Sequence, residues 1–590
     1  PQTPPRPARA QAGVTGESRR VAANVALNSL AYLTQRADRL SRAGIKRRKP
    51  AFLIGENQMD RRLFLQRGAS TLAVGAGLPL VGCRRTEAPD AAFAPYPHDP
   101  VRAENFTNRL FIPGAEGPFG VLDVKDLPLT LTARAATFPI LDGKPSPFLL
   151  YETSYAGKTF QNPIIRIKRG GRFTATLQNG LNEPTIIHWH GLHIPASMDG
   201  HPNDSIGPGK NYPYAFTVQN RGGTYWYHTH AEHLTAKQAY GGLASFFIVE
   251  DDDDLRLARA LDLKLGETDL PLVIQDKRFN ASGELVYQPD QVEKMMGHLG
   301  DIVLVNLTPN AFLEIGPRFY RFRCLNGSNA RIYRLAFMRG KEQLAYQVIG
   351  TDGGLLDRPY AVKDAFLAPG ERLDVLFDAS QLRQGETVFL KSLAFDSMDD
   401  ERAMGMARMG GGARLGDSVE FNLLKLVVTK TAQGPREVPT QLSQVQPIDI
   451  AGATVRKVRL EMARMRWRIN GETFRMDAFP IDARRNTVEV WEIHNAQQSM
   501  PHPMHMHGFQ FQVLARQNSP EQIRTLGVHG SGRIVSDLGW KDTVLVWPGE
   551  TVRLAVDLSN NFEGNQTYVF HCHNLEHEDA DMMVNMRVRA

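Results

Sequence analysis

Ten of the seventeen histidines fall in four short motifs. They are His188-Trp189-His190-Gly191, His228-Thr229-His230, His502-Pro503-Met504-His505-Met506-His507-Gly508 and His571-Cys572-His573-Asn574-Leu575-Glu576-His577. Imidazole nitrogen is a ligand for zinc, copper, iron and nickel. On a strand, residues i and i+2 point to the same face. Each His-x-His pair can therefore present two rings to one metal centre, or to two adjacent ones. A lone buried histidine is ordinarily a satisfied core residue, but four such motifs together ask for metal.

Cys572 adds a second kind of chemistry. In an extended segment His571 and His573 face one way and Cys572 the other, so one tripeptide can serve two different metal sites. Cys572 with His502, His577 and a thioether makes a two-His, one-Cys site with a weak axial ligand, the donor set of an electron-transfer copper. Met582 is the natural axial candidate and Met583 its rival. Zinc would also accept Cys and His, but it has no redox use for a wired connection between sites.

The elements that must position these residues are strands. Alternating or β-branched runs recur, as in Ile164-Ile165-Arg166-Ile167, Thr487-Val488-Glu489-Val490-Trp491 and Thr543-Val544-Leu545-Val546-Trp547, divided by Gly, Pro and Asn turns. Helical periodicity is scarce. Leu255–Leu263 reads as a short linker helix, and the acidic run 250–254 before it reads as a solvated connection. Three strands end in asparagine, at Phe173–Asn179, Tyr320–Asn326 and Val490–Asn495. Each is followed by a Pro-Gly turn, at Pro208-Gly209, Pro369-Gly370 and Pro548-Gly549. The repeat, of about 150–180 residues, predicts three β-sandwich domains near 95–252, 265–435 and 445–590. The first and third carry histidines where the second has Ala330-Arg331-Ile332-Tyr333, which makes the middle domain a spacer or a wall.

Charge is unevenly spread over the 590 residues. Residues 1–85 hold 16 Lys/Arg against 4 Asp/Glu, and the rest hold 53 against 59. The body is thus mildly acidic, and nucleic acid is not an expected partner. Three cysteines exclude a disulfide scaffold or a cysteine-built cluster. Met59-Asp60-Arg61-Arg62-Leu63-Phe64-Leu65 has the twin-arginine pattern, and the apolar run Gly68–Gly82 is too short and glycine-rich to span a bilayer. Residues 59–85 therefore predict export of a protein that loads its cofactor before crossing, to the periplasm or cell envelope. Residues 1–58 read as a non-structural upstream extension. Leu80-Val81-Gly82-Cys83 resembles a lipoprotein box with Cys83 as the acylated residue; the alternative is an ordinary cleavage region.

The four motifs resemble those of the multicopper oxidases, and the three-domain arrangement covers nearly all of 95–590. Trp189, Thr224-Tyr225-Trp226-Tyr227-His228-Thr229-His230 and His577-Glu578-Asp579-Ala580-Asp581-Met582-Met583 are most similar to the bacterial laccase and cuprous-oxidase branch. The resemblance implies an all-β chain of three tandem cupredoxin-like Greek-key β-sandwiches holding four copper ions. His188 and His505 would hold a type 2 copper. His190, His228 and His573 would hold one type 3 copper, and His230, His507 and His571 the other. His502, Cys572, His577 and Met582 would form the type 1 site. No ligand position is vacant, unlike in the structural members of the superfamily. The implied reaction couples four one-electron oxidations of a small reducing molecule, docked near His502 or His577, to reduction of one O₂ to two waters. Asp199 and Glu578 are the candidate acids for the protons, and for Glu578 the equal alternative is a hydrogen bond that orients a histidine. His193, His201, His233 and His529 remain surface or supporting residues, and the protein is expected to act as a monomer.

Substrate class is the open choice. Cuprous oxidases carry a methionine-rich insertion and an extra copper site. This chain keeps Met462, Met465 and Met500, yet Arg464-Met465-Arg466-Trp467-Arg468 runs directly into Ile469-Asn470-Gly471, and Gln498 stands where an acid is expected. Met398, Met404, Met406 and Met409 form a small methionine group elsewhere. These departures favour a phenol-oxidising laccase over a cuprous oxidase protecting the envelope. A non-catalytic exported copper-binding scaffold is the third reading.

Overall fold

The computed structural model describes residues 105–590, apart from 126, 142–143, 399–414, 436 and 529. The twin-arginine segment, Cys83, Met404–Met409 and His529 lie outside the described residues. Six sheets pack in three pairs, each pair closing on its own apolar core. The chain is all-β, built of tandem cupredoxin-like sandwiches. Inward-facing residues alternate with outward ones, as in Leu129–Leu141, where Leu129, Leu131 and Ala133 are buried. Among the described residues, no helix is long and apolar enough to cross a membrane.

The three asparagine-terminated strands occupy equivalent places. Arg172–Asn179 lies between the parallel strand Leu129–Leu141 and the antiparallel strand Asn211–Thr217. Phe319–Asn326 lies in the same way between Asp269–Lys277 and Arg372–Asp378, and Val488–Asn495 between Thr454–Ala463 and Thr551–Asp557. Each asparagine pins its strand end. The backbone carbonyls of Asn179, Asn326 and Asn495 accept from the N–H groups of Gly209, Gly370 and Gly549 in the three Pro-Gly turns. Their side-chain amides donate to two further carbonyls each, such as Arg331 and Leu367 for Asn326, and Met500 and Val546 for Asn495.

Two local features differ from expectation. The linker helix runs Asp252–Leu261, with Asp251 accepting from Asp253 N and Asp254 N as its N-cap. The acidic run is not merely solvated, because Asp254 is buried against Arg321 (2.7 Å) and Arg323. A buried guanidinium pair needs anions, and the helix start supplies one. The short strand Asn108–Arg109 pairs with Ala311–Ile315, and so adds an edge to a sheet of the second pair.

Candidate metal centre

Strand pairing brings the motifs together two by two. His188 sits opposite His228 across one antiparallel pair, and His505 opposite His571 across another. The two pairs of strands then face each other between the first and third sandwiches. All eight histidines, from 188, 190, 228, 230, 505, 507, 571 and 573, are buried.

Two glycines allow the close approach. Gly200 has φ +85°, and a Cβ there would stand 2.0 Å from the Ile187 carbonyl. This lets the turn after Ala196–Asp199 press Asp199 against His188 and His507. At Gly191, φ +87°, a Cβ would lie 2.3 Å from Asp542 Oδ2. Only glycine meets both demands.

Hydrogen bonds fix which nitrogen of each ring is free. His188 Nδ1 donates to the Asp199 carbonyl (2.8 Å) and His505 Nδ1 to the Asp542 carbonyl (2.9 Å). Their Nε2 atoms then face one another at 3.3 Å. His507 Nδ1 donates to Asp199 Oδ2 (2.7 Å) and His571 Nδ1 to the Cys572 carbonyl (3.1 Å). Their Nε2 atoms are 3.0 Å apart, with His230 Nε2 at 3.5 Å from His571 Nε2. Burial holds His228, His230, His505 and His507 far below the usual imidazole range, so these rings are neutral. Lone pairs aimed at each other over such distances repel unless a cation sits among them. The rings of His190, His228 and His573 form a third group, with centroids 5.0–5.6 Å apart. His228 Nε2 and both nitrogens of His573 are buried with no hydrogen-bond partner among the described residues. His190 is turned the other way: its Nε2 lies 3.0 Å from Asp542 Oδ1, and its Nδ1 is the unpartnered atom.

Cys572 belongs to a separate site in the core of the third sandwich. Its Sγ is 3.5 Å from His502 Nδ1 and 3.5 Å from His577 Nδ1. His502 Nε2 donates to Ser499 Oγ (3.1 Å) and His577 Nε2 to the Met295 carbonyl (2.8 Å), leaving both Nδ1 atoms for a metal. Burial pushes His577 down to about 3, and pushes the Cys572 thiol up. A metal cation would reverse the thiol's preference and take it as thiolate. Met582 packs in the same core cluster as Cys572, whereas Met583 packs away from it with Phe474 and Val569.

The two candidate acids lie beside different rings. Asp199 touches His507 and His188, as above. Glu578 Oε2 is 3.2 Å from His571 Nδ1, and its Oε1 is 3.5 Å from His230 Nε2. Burial alone would raise the Glu578 carboxyl, but the two histidines outweigh it and hold it down to about 2.

Known proteins are similar to this chain. Residues 142–254 and 447–590 match the sequence profiles of multicopper oxidase domains. The multicopper oxidase mco of Staphylococcus haemolyticus is 31% identical over 72% of this chain and 81% of its own length. A laccase of Bacillus subtilis is 31% identical over 68% of this chain and 79% of its own. The crystal structure of the McoA multicopper oxidase of Aquifex aeolicus superposes with a TM-score of 0.72 at 40% identity, covering 82% of this chain and 99% of that one. The chain belongs to the multicopper oxidase family. It is a copper-dependent oxidoreductase that couples oxidation of small-molecule donors to reduction of O₂. The soft Cys572–methionine site and the convergent buried imidazoles fit copper.

Several residues of this multicopper oxidase escaped the sequence reading. Asp542 touches His190 and His505 and is held by Arg372, which also donates to the Thr224 carbonyl (2.9 Å). Trp467 packs edge-on to His502, centroids 4.6 Å apart, and lies 5.4 Å from His577. Its Nε1 donates to the Met295 carbonyl (2.7 Å), the group that also accepts from His577. The helix Gln291–Met296 is therefore a wall of the site. The donor expected near His502 or His577 meets covered rings: both are fully buried, because Ser499, Met295 and Trp467 occupy their edges. His193 and His201 support loops, bonding the Gly508 carbonyl and Asn585, while exposed His233 bonds the Asp579 carbonyl.

Proposed function

We propose that this chain is a laccase-like oxidase of phenolic donors, with one copper held by His502, Cys572, His577 and Met582. His188 and His505 hold a second, His190, His228 and His573 a third, and His230, His507 and His571 a fourth. The domains divide near 95–252, 265–435 and 445–590. When bound, these coppers accept single electrons at the cysteine site and supply the four-electron chemistry for O₂ at the histidine cluster. The observation that carries the reading is the facing of buried imidazole nitrogens at 3.0–3.5 Å next to a wired Cys572 site. The chain's own residues do the rest. His571-Cys572-His573 joins the two sites through a few covalent bonds. Asp199 and the Asp542 carbonyl orient rings, Ser499 and Met295 fix the tautomers of His502 and His577, and Asp199 and Glu578 are placed to move protons.

The twin-arginine segment at 59–85 supports export to the periplasm or envelope, and Cys83 is the candidate lipid anchor. A mildly acidic body supports action on small molecules rather than nucleic acid, as a monomer. A cuprous oxidase is the second reading, favoured by Met462 and Met500 in the core that contains Cys572. Oxygen uptake with 2,6-dimethoxyphenol, Cu(I) and Fe(II), each with and without added Cu(II), tests the choice. Fast uptake with the phenol alone is the expected result. No uptake with any donor would leave a copper-binding scaffold.

A further inference from the structure

The hairpin that covers the Cys572 site is built against the rules for such turns. Thr454–Ala463 pairs with Arg466–Ile469, and Ala463 sits opposite Arg466, so the loop is the two residues Arg464 and Met465. Both have positive φ, 53° and 60°. That is the type I′ pattern, which strongly prefers Asn-Gly or Asp-Gly because side chains with a Cβ are strained there. Among the described residues, this is the one consecutive positive-φ pair with no Gly, Asn or Asp. Residues held in such strain cluster at binding sites and switch regions, where their side chains serve a purpose.

Those side chains face solvent directly outside the site. Trp467 points inward onto the His502 and His577 rings, and the alternation of the strand turns Arg466 and Arg468 outward. Arg464 is exposed, and no carboxylate among the described residues pairs with it. Arg466 lies 3.6 Å from Asp581 and stays largely exposed. Met465 is 56% exposed, an apolar platform between the two guanidinium groups. Residues 454–475 carry seven Lys/Arg, of which Arg456, Arg459, Arg466 and Arg475 pair with carboxylates and Lys457, Arg464 and Arg468 have none among the described residues, on a body whose overall charge is negative. A positive field here repels Cu(I) and Fe(II) and attracts anions. Arginine forks carboxylates and stacks on aromatic rings.

Building on the laccase-like reading, we propose that the Arg464–Met465–Arg466 turn is a docking site for anionic phenols, aromatic donors that carry a carboxylate. The carboxylate meets the guanidinium groups and the ring rests on Met465, with Trp467 between donor and the His502–His577 pair. Each donor loses one electron and its phenolic proton. Four donors with one O₂ give four phenoxyl radicals and two waters.

Syringate and 2,6-dimethoxyphenol form a matched pair, since they share the dimethoxyphenol ring and differ in the carboxylate. The double variant Arg464→Asn/Met465→Gly installs the preferred turn and should fold at least as stably, as thermal unfolding will report. Its ratio of kcat/KM for syringate over dimethoxyphenol should fall at least fivefold, with the blue absorption of the Cys572 site unchanged. The wild-type ratio should fall towards the variant's in 0.5 M salt. The redox-inert 3,4,5-trimethoxybenzoate should inhibit wild type competitively and the variant weakly. A ratio unmoved by the double variant, or insensitive to salt in the wild type, overturns the proposal. Absence of oxygen uptake by wild type with either phenol instead overturns the oxidase reading on which it rests.

Discussion

Arg372 and Asp542 form a fully buried ion pair at the rim of the histidine cluster, with Arg372 Nη1 2.8 Å from Asp542 Oδ1 and Nη2 on Oδ2. The arginine comes from the middle sandwich and the aspartate from the third, and Arg372 also holds Thr224 of the first. One guanidinium thus ties together the three parts that must meet for the cluster to form. Asp542 in turn sets the reversed orientation of His190 and the tautomer of His505.

Asp542→Asn should therefore do two separable things. Leaving Arg372 without its bidentate anion should destabilise the fold by about 3 kcal/mol, read by denaturant unfolding. Loss of the carboxylate behind His190 should weaken copper at the histidine cluster by roughly 10–100-fold. The blue band of the Cys572 site should survive, because that site shares none of these contacts. Copper per chain after dialysis against a graded chelator series checks this. An unchanged copper content would show that Asp542 is merely structural.

Cys572→Ser should abolish the blue colour while the histidine cluster keeps its capacity for metal. The thiol lies 3.5 Å from both His502 Nδ1 and His577 Nδ1. A blue band that persists in this variant sinks the assignment of the type 1 site.

Met582→Leu should raise the type 1 potential while the colour survives, since axial ligation tunes such sites. Met583→Leu should change it little, because Met583 packs with Phe474 and Val569 on the other side of the strand. Redox titration of the two variants decides, and the reverse pattern means that the axial ligand is one residue further on.

Much of this was legible in sequence, and the reason is repetition. Asn179, Asn326 and Asn495 recur with their Pro-Gly turns because each strand end needs the same three hydrogen bonds. The histidine motifs are legible because imidazole pairs at spacing two have few other uses. Asp542 was not, since Lys541-Asp542-Thr543 looks like the polar start of any strand, and its partner Arg372 is distant in the chain. Met295 acts through its backbone carbonyl, which no residue type reveals. Trp467 reads as a core aromatic until its contacts with both His502 and His577 are seen. The acidic run misled because a buried use for Asp254 depends on Arg321 and Arg323, which are 67 and 69 residues further along the chain.

Acid should loosen the wall of the Cys572 site through Glu293. This residue lies on the helix Gln291–Met296, whose Met295 carbonyl holds His577 and Trp467. Burial would raise its carboxyl, but hydrogen bonds from His298 and Arg278 hold it down to about 2. A depressed folded value contributes stability that is fully present above the unfolded value, near 4.5, and is lost as pH falls through about 2. Thermal stability should accordingly drop between those limits. Glu293→Gln should be less stable at neutral pH and show a smaller drop in that window. Equal slopes for the two proteins would remove Glu293 from the account.

Phenol oxidation should need no added Cu(II) once the four sites are filled. A relay through extra copper needs methionines and a carboxylate near the Cys572 site. Here Gln498 is exposed with no charge to offer, and the hairpin above Trp467 carries Arg464 and Arg466, which repel a cation. Added Cu(II) should therefore change 2,6-dimethoxyphenol turnover by less than about threefold in copper-replete enzyme, under roughly 0.7 kcal/mol of barrier. Deleting Met404–Met409 should have as little effect, provided the blue band shows that the fold is intact. A tenfold or larger stimulation by Cu(II), lost on that deletion, would favour the cuprous-oxidase reading.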